Sequence, residues 1–167
     1  MAILPIRTYP DPVLRRTCQD AEPGTEQIRR LAQDMLETMY AAPGIGLAAP
    51  QVGASIRLVV VDVAGALGSP DPSFLLNPRI VRSSETTAFE EGCLSLPEFS
   101  LEVERARVIE VSYQDLEGAE RSLVAEDLFA VAIQHEMDHL EGRLLVDYAS
   151  SVKRDLYRRK ARKRKAT

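Results

Sequence analysis

The chain contains two histidines, and they lie four residues apart in the segment QHEMDH, with a glutamate directly after the first. On an α-helix, residues four apart lie on one face, so the imidazoles of His135 and His139 can bind one metal ion. Glu136 can then reach a water molecule beside that ion and act as its base. The same face carries apolar residues one and two turns earlier, which predicts that the histidines point into the protein.

Two histidines leave a catalytic metal site incomplete, because such a site usually has three protein ligands and one open position. Cys93 is an upstream candidate, since a thiolate binds iron and zinc strongly and Gly92 lets the backbone approach the ion. Most free cysteines, however, are small buried apolar residues. Downstream of the histidines, the candidates are Glu141, Asp147 and Asp155. Spacing alone does not choose between the upstream and downstream ligands.

Helices are predicted from apolar spacing and from capping residues. A long helix is expected over about 25–41, where apolar residues recur at three- and four-residue spacing. The helix that carries the histidines is expected over 128–141, with Asp127 as its N-cap. A final helix is expected over about 150–163, and a short one over 12–16, where a proline follows a capping aspartate.

The middle of the chain is rich in β-branched residues, which favour strands. Strands are expected at 56–63, 75–81, 86–90, 107–113 and 121–125. Strands and helices do not alternate, which argues against a parallel βαβ arrangement. We therefore expect an α+β fold, with small antiparallel or mixed sheets packed around the H-E-x-x-H helix, N-terminal helices and a basic C-terminal helix.

The charge is unevenly distributed along the chain. Between Lys153 and Thr167 there are nine basic residues and one acidic residue, a balance of +8, although the whole chain has a net charge of −4. The body before this segment is therefore strongly acidic. We expect a catalytic domain over 1–149 and a basic helix or tail over 150–167 that binds an anionic partner. The alternative is a terminal helix that is merely solvated.

The composition excludes several classes of protein. No apolar run approaches the ~18–20 residues that a membrane-spanning helix needs. The first residues lack the basic and apolar segments of a secretion signal. Two cysteines, Cys18 and Cys93, are too few for a disulfide framework. We expect a soluble intracellular protein with reduced thiols.

Three blocks of sequence occur together, in a fixed order. The first is GIGLAAPQVG at 44–53, the second is EGCLS at 91–95, and the third is QHEMDHLEG at 134–142. The opening segment TYPDPVL at 8–14 belongs to the same pattern. The chain resembles the peptide deformylase family in all four segments, and the resemblance therefore spans most of its length.

The resemblance implies a metal-dependent hydrolase that removes the N-terminal formyl group from formyl-methionine of nascent polypeptides and releases formate. Cys93, His135 and His139 would bind one divalent metal ion. The family implies Fe²⁺ (ferrous iron), with Zn²⁺, Ni²⁺ or Co²⁺ as possible substitutes in purified protein. Glu136 would act as the general base and the general acid.

The resemblance also implies roles for residues around the metal. Gln51 and the backbone N–H of Leu94 would stabilise the oxyanion. Glu91 and Arg105 would form an ion pair that supports the Cys93 loop, although a surface ion pair is an alternative. Four residues would contact the substrate. These are Gly46, beside the peptide backbone, and Ile45, Leu128 and Ala132, which would line the methionine pocket.

The expected partners follow from the same resemblance. They are the formyl-methionine peptide and, through the basic tail, the ribosome, with no membrane and with a monomeric chain. The expected location is the bacterial cytoplasm, or an organelle after removal of a transit peptide. Residues 98–100, EFS, stand where many family members have a basic residue near the substrate entrance, so the resemblance does not fix any preference beyond methionine.

Two other classes of function fit parts of the sequence. An H-E-x-x-H zinc endopeptidase would take its third ligand downstream of the histidines and would bind its metal without Cys93. A non-enzymatic binding domain stabilised by a metal would normally have four protein ligands, and the sequence offers three.

Overall fold

The computed structural model describes the backbone of residues 2–166 and the side chains of residues 2–164. Two ends of predicted segments lie outside the described residues: Met1, which begins the predicted catalytic domain, and Thr167, which ends the predicted basic tail. The side chain of Lys165 also lies outside them. None of the helices over 2–166 is long and apolar enough to span a membrane.

One antiparallel sheet of five strands forms the centre of the fold, and each strand pairs with the next in the chain. The fold is α+β, as the sequence predicted, but with one fully antiparallel sheet instead of several small ones. The β2 strand is buried at all four positions, which explains its run of Leu and Val. The strands are β1 (Gly46–Ala48), β2 (Leu58–Val61), β3 (Ser73–Cys93), β4 (Leu96–Gln114) and β5 (Glu120–Glu126).

The β3 strand is longer than the sequence pattern predicted, since the segments expected at 75–81 and 86–90 are parts of one strand of 21 residues. The intervening residues are polar and exposed, so they lack the apolar alternation that marks a half-buried strand. Hydrogen bonding to β4 continues the strand through them, with Ser83 opposite Ile109 and Ser84 opposite Val108. Pairing with the neighbouring strand therefore decides the structure here.

Three α-helices surround the sheet: α1 (Glu26–Ala41), α2 (Asp127–Leu140) and α3 (Ser151–Ala166). The α1 helix begins after Thr25, whose hydroxyl accepts a hydrogen bond from the backbone N–H of Ile28 at 3.1 Å. Its buried face packs against β1 and β2 through apolar residues such as Met35 and Met39. Short 3-10 helices lie at Pro12–Arg15, Ala49–Val52, Gly65–Leu67 and Leu145–Tyr148.

The predicted N-cap of α2 was wrong. Asp127 is the first residue of the helix, and its φ of 53° lies in the left-handed region. Glu126 occupies the N-cap position and makes no capping hydrogen bond with its side chain. The Asp127 carboxylate instead lies 3.4 Å from Nη1 of Arg107 on β4. An ion pair formed by the tertiary structure thus replaces the local capping bond.

The basic helix α3 packs against the body of the protein. Tyr157 and Ala161 are buried in one apolar cluster with Tyr9 and Phe99. The ring centroids of Phe99 and Tyr157 are 4.8 Å apart. The outer side of α3 exposes basic residues, including Lys163. The helix is thus attached by its apolar face while its basic face meets solvent.

Candidate active site

Three side chains of types that can bind a metal ion converge beside the β3–β4 turn. Cys93 is the last residue of β3, and His135 and His139 lie one turn apart on α2. Their ligand atoms all lie within 4.8 Å of one another. Cys93 Sγ is 3.4 Å from Nε2 of His139. The tight turn at Leu94 and Ser95 ends β3 at the point where its thiol faces α2.

This set of donors fits a divalent metal ion. Imidazole nitrogen and thiolate sulfur are ligands that zinc accepts, and iron also binds both. Nδ1 of His135 is 2.9 Å from Oε1 of Glu91, which directs the opposite ring nitrogen towards the other ligands. Within residues 2–166 the group comprises Cys93, His135 and His139 alone. A metal bound here would keep an open position for water or substrate.

The downstream carboxylates that the sequence offered as a third ligand are engaged elsewhere. Each one pairs with an arginine, at N–O distances of 2.8, 2.6 and 3.3 Å. The pairs are Glu141 with Arg57, Asp147 with Arg15, and Asp155 with Arg158. Only the upstream cysteine meets the two histidines among the described residues.

Behind His135 lies a buried ion pair. Nε and Nη2 of Arg105 donate to the two carboxylate oxygens of Glu91 at 2.7 and 2.9 Å, and the two side chains are only 5% and 6% exposed. This is therefore not a surface ion pair. Burial acts to raise the pKa of Glu91, but hydrogen bonds from His135 and Arg105 outweigh it and lower this pKa. Glu91 stays charged and accepts a hydrogen bond from the His135 ring.

Two further residues of this network were not predicted from the sequence. Nη1 of Arg105 donates to Oδ2 of Asp138 at 3.0 Å, and the hydroxyl of Tyr148 donates to the same oxygen at 2.7 Å. The guanidinium of Arg105 also lies over the Tyr148 ring, 5.2 Å from its centroid. Asp138 lies inside the H-E-x-x-H segment, and this position is the only feature of the sequence from which it could have been predicted. Tyr148 carries no such signal.

Glu136 is buried beside Cys93, His135 and His139 and faces β1. Burial raises the pKa of its carboxyl to about 7. A Cβ atom at Gly46 would lie 3.0 Å from the Glu136 carboxylate, so a side chain at this position would require the carboxylate to shift. Burial also lowers the pKa of His139. A carboxyl group that titrates near neutral pH can both accept and donate a proton.

Gln51 presents an oriented amide to the same centre. Its Oε1 accepts a hydrogen bond from the backbone N–H of Ala48 at 2.9 Å. Its Nε2 donates to Oγ of Ser95 at 3.1 Å and lies 3.8 Å from Cys93 Sγ. The amide is buried and held from both ends, so its N–H groups are fixed on the Cys93 side. Ser95, which fixes this orientation, was not singled out from the sequence.

A cavity of about 480 Å³ lies in front of these groups. All four residues predicted to contact substrate, Gly46, Ile45, Leu128 and Ala132, line it. Leu128 is 42% exposed and so lies at the rim, although the sequence pattern placed it on the inward face of α2. Cys93, Leu94, His135, Glu136 and Gln51 line the same cavity. The lining also includes apolar residues that the sequence had not indicated, namely Phe89, Leu96, Phe99 and Val131.

Comparison with known proteins places the chain in a family. Residues 3–155 match the model of the family described as polypeptide deformylase. A peptide deformylase of Desulfotalea psychrophila is 51% identical over 164 residues, covering 98% of this chain and 97% of the relative. One from Rhizobium meliloti is 52% identical over 157 residues, covering 93% and 90%.

Solved structures agree with the sequence comparison. The crystal structure of the peptide deformylase of Ehrlichia chaffeensis in complex with actinonin matches with a TM-score of 0.94 and 38% identity, covering 100% of both chains. A peptide deformylase of Legionella pneumophila matches with a TM-score of 0.91 and 42% identity, covering 99% of this chain and 96% of that one. With its three sequence blocks meeting around one cavity, the chain belongs to the polypeptide deformylase family.

Proposed function

We infer that this chain is a hydrolase that removes the N-terminal formyl group from nascent polypeptides and releases formate and a free amine. Membership of the deformylase family carries this conclusion. The convergence of Cys93, His135 and His139 beside the buried Glu136 supports it independently, because amide hydrolysis needs an activated water and a proton carrier.

The proposed metal ligands are Cys93, His135 and His139, and the proposed ion is Fe²⁺. Zn²⁺, Ni²⁺ and Co²⁺ are the proposed possible substitutes in purified protein, since two imidazoles and a thiolate suit each of these ions. When bound, a divalent ion supplies Lewis acidity to the formyl carbonyl and to the attacking water. The hydrogen bond between Glu91 and Nδ1 of His135 would keep this imidazole in the orientation that binding requires.

Glu136 is the proposed general base and general acid. Its carboxylate would take a proton from the attacking water and pass it to the nitrogen of the leaving amine. Burial against Gly46 keeps this carboxyl away from bulk water, and its raised pKa lets it hold and release a proton near neutral pH. General acid–base catalysis of this kind contributes roughly 10²–10⁴-fold to a rate.

Gln51 and the backbone N–H of Leu94 are the proposed donors to the oxygen that becomes negatively charged during attack. The Gln51 amide is already oriented by Ala48 and Ser95, so it would need no reorganisation during the reaction. One such donor is typically worth about 3–4 kcal/mol of transition-state stabilisation. A neutral amide also avoids adding a charge beside the metal ligands.

The methionine side chain of the substrate is proposed to occupy the apolar part of the cavity. Ile45, Leu128 and Ala132 would contact this side chain, and Gly46 would lie against the peptide backbone. All four line the cavity that also contains the Cys93 and His135 side chains. The scissile formyl group would thereby lie beside Glu136.

The test is formate release from a formyl-Met peptide, compared with cleavage of an internal bond in an acetylated peptide of the same sequence. A deformylase releases formate and leaves the internal bond intact, whereas an endopeptidase does the reverse. The Cys93→Ala variant separates the two chemistries further, because it should lose the metal if Cys93 is a ligand. A matched control is Cys18→Ala, which removes a buried thiol that is not part of the ligand group.

We further propose that residues 1–149 form the catalytic domain and that residues 150–167 form a basic segment that docks on the ribosome. The exposed Arg159, Arg162 and Lys163 on the outer side of α3 suit RNA phosphates, and such binding falls steeply as salt rises. The chain would act as a monomer in the bacterial cytoplasm, or in an organelle after removal of a transit peptide.

Deleting the whole basic segment is a poor test of ribosome docking, because Tyr157 and Ala161 belong to the core. Changing Arg159, Arg162 and Lys163 together to glutamine should instead weaken cosedimentation with ribosomes at low salt. The same variant should deformylate a short peptide at the wild-type rate. Equal cosedimentation of both forms would contradict docking through α3.

A further inference from the structure

Several glutamates line the substrate cavity. Its lining includes four glutamates and, within the described chain, no lysine or arginine. Two of these, Glu91 and Glu136, are buried beside the metal ligands. The other two, Glu90 and Glu98, are exposed, so they can meet the part of a peptide that extends towards solvent.

The wall that carries Glu98 is held by the basic helix α3. The hydroxyl of Tyr157 donates to the carbonyl of Pro97 at 2.9 Å, and Nζ of Lys153 donates to the carbonyl of Ser100 at 2.8 Å. The Lys153 ammonium also lies 5.2 Å from the centroid of the Phe99 ring, which itself lines the cavity. One side of the cavity therefore depends on contacts with α3.

Glu98 has an unusual backbone conformation at the centre of this wall. Its φ is 62°, in the left-handed region that a residue with a Cβ atom rarely adopts. The two hydrogen bonds from α3 end at the carbonyls of Pro97 and Ser100, on either side of it. Strained backbone of this kind is concentrated at functional sites and is held by surrounding contacts.

A lysine of α3 sits against the Glu98 carboxylate. Nζ of Lys160 lies 3.1 Å from Oε2 of Glu98, and the two side chains are 57% and 69% exposed. The ammonium approaches from the helix and not from the cavity, because Lys160 is not among the lining residues. Glu98 thus pairs with Lys160 and also lines the cavity.

We propose that Glu98 is a specificity residue that favours lysine or arginine in the substrate residues after formyl-methionine, and that Lys160 limits this preference by competing for the same carboxylate. The inference rests on the proposed deformylase function. Glu90 adds to the acidic field, although its carboxylate also accepts a hydrogen bond from Oγ of Ser100 at 2.9 Å. Residues 98–100 contribute no basic side chain that would oppose this preference.

The test compares kcat/KM for formyl-Met-Ala-Ala with peptides that carry Lys or Glu at the second or third position. The wild type should prefer the Lys peptide to the Glu peptide. Lys160→Gln should raise that ratio by about twofold to fivefold at low salt, the range expected for exposed ion pairs. Glu98→Gln should lower the ratio. In the Glu98→Gln background, the further change Lys160→Gln should leave the ratio unchanged.

Lys163→Gln is the matched control, because it removes the same charge from an exposed position on the same helix. It should leave the ratio unchanged. Salt at ~1 M, where the Debye length is about 3 Å, should abolish the effect of Lys160→Gln if charge causes it. If all peptides are turned over but the ratio of kcat/KM for the Lys peptide to that for the Glu peptide is the same in wild type and variants, this inference alone is overturned. No turnover of any peptide, the uncharged one included, would overturn the proposed function.

Discussion

Removal of Arg105 should destabilise the protein strongly. The Arg105→Met variant keeps an apolar stem of similar length but leaves the Glu91 carboxylate without its two charge-assisted hydrogen bonds. The Glu91 side chain is only 6% exposed, so water cannot replace the guanidinium. Breaking a buried ion pair in this way costs about 3–5 kcal/mol of unfolding free energy. That is a large share of the roughly 5–15 kcal/mol that stabilises a typical domain.

The measurement is urea unfolding of the metal-free protein, so that ion release does not contribute. For a slope of about 2 kcal/mol/M, the midpoint should fall by roughly 1.5–2.5 M. The control is Arg29→Met, which breaks a pair with Glu117 whose side chains are 42% and 63% exposed. Exposed pairs contribute about 0–1 kcal/mol, so this midpoint should move by no more than roughly 0.5 M.

A double variant separates lost charge pairing from lost packing. If the cost of Arg105→Met comes from an uncompensated carboxylate, adding Glu91→Gln removes that charge and should recover at least half of the lost stability. Equal midpoint shifts for Arg105→Met and Arg29→Met would contradict a special contribution of the buried Arg105–Glu91 pair to stability. Additive losses in the double variant would show that packing, and not charge, is responsible.

Three other perturbations have definite expected outcomes. Gly46→Ala places a Cβ atom 3.0 Å from the carboxylate of the proposed base, Glu136. The kcat for a formyl-Met peptide should therefore fall about tenfold or more while the protein remains folded. An unchanged kcat would show that this contact does not displace the Glu136 carboxylate. Iodoacetamide at pH 8 should label Cys93 before Cys18, because burial raises the pKa of the Cys18 thiol to about 11. Bound metal should protect Cys93 from labelling. Peptide mass spectrometry measures the order of labelling, and labelling of Cys18 first would contradict this prediction. Burial acts to raise the pKa of Asp147, but hydrogen bonds from Arg15 and a backbone N–H outweigh it and lower this pKa. The stabilising effect of Asp147 is therefore present above the unfolded pKa of about 3.9 and is lost as pH falls through the folded pKa. The difference in unfolding free energy between wild type and Asp147→Asn should shrink on acidification, and a constant difference would contradict this assignment.

Features fixed by local sequence were predicted well. The α1 helix has its apolar stripe within one segment, and the helix predicted over about 25–41 is confirmed at Glu26–Ala41. The spacing of the two histidines on α2 also required no knowledge of the rest of the fold. The resemblance to deformylases indicated Cys93 as the third ligand, whereas spacing alone left Glu141 equally open.

Tertiary contacts outside those implied by the family resemblance were not predicted. Asp127 was expected to cap α2 but pairs instead with Arg107, which lies on a different element. Tyr148 reaches Asp138 only because the chain returns past the end of α2. The contact between α3 and the wall of the cavity joins Lys160 to Glu98, and no local pattern encodes it.

Glu136 is proposed to carry the proton in a metal-dependent deformylation. The most direct test measures formate release from a formyl-Met peptide by anaerobic, iron-loaded wild type and by Glu136→Gln, with the metal content of both determined. The wild type should release one formate per peptide, and the variant should keep its ion while losing roughly 10²–10⁴-fold in rate. Absence of formate from the iron-loaded wild type would contradict the deformylase function, and an undiminished rate in the variant with its metal present would contradict the proton-carrying role of Glu136.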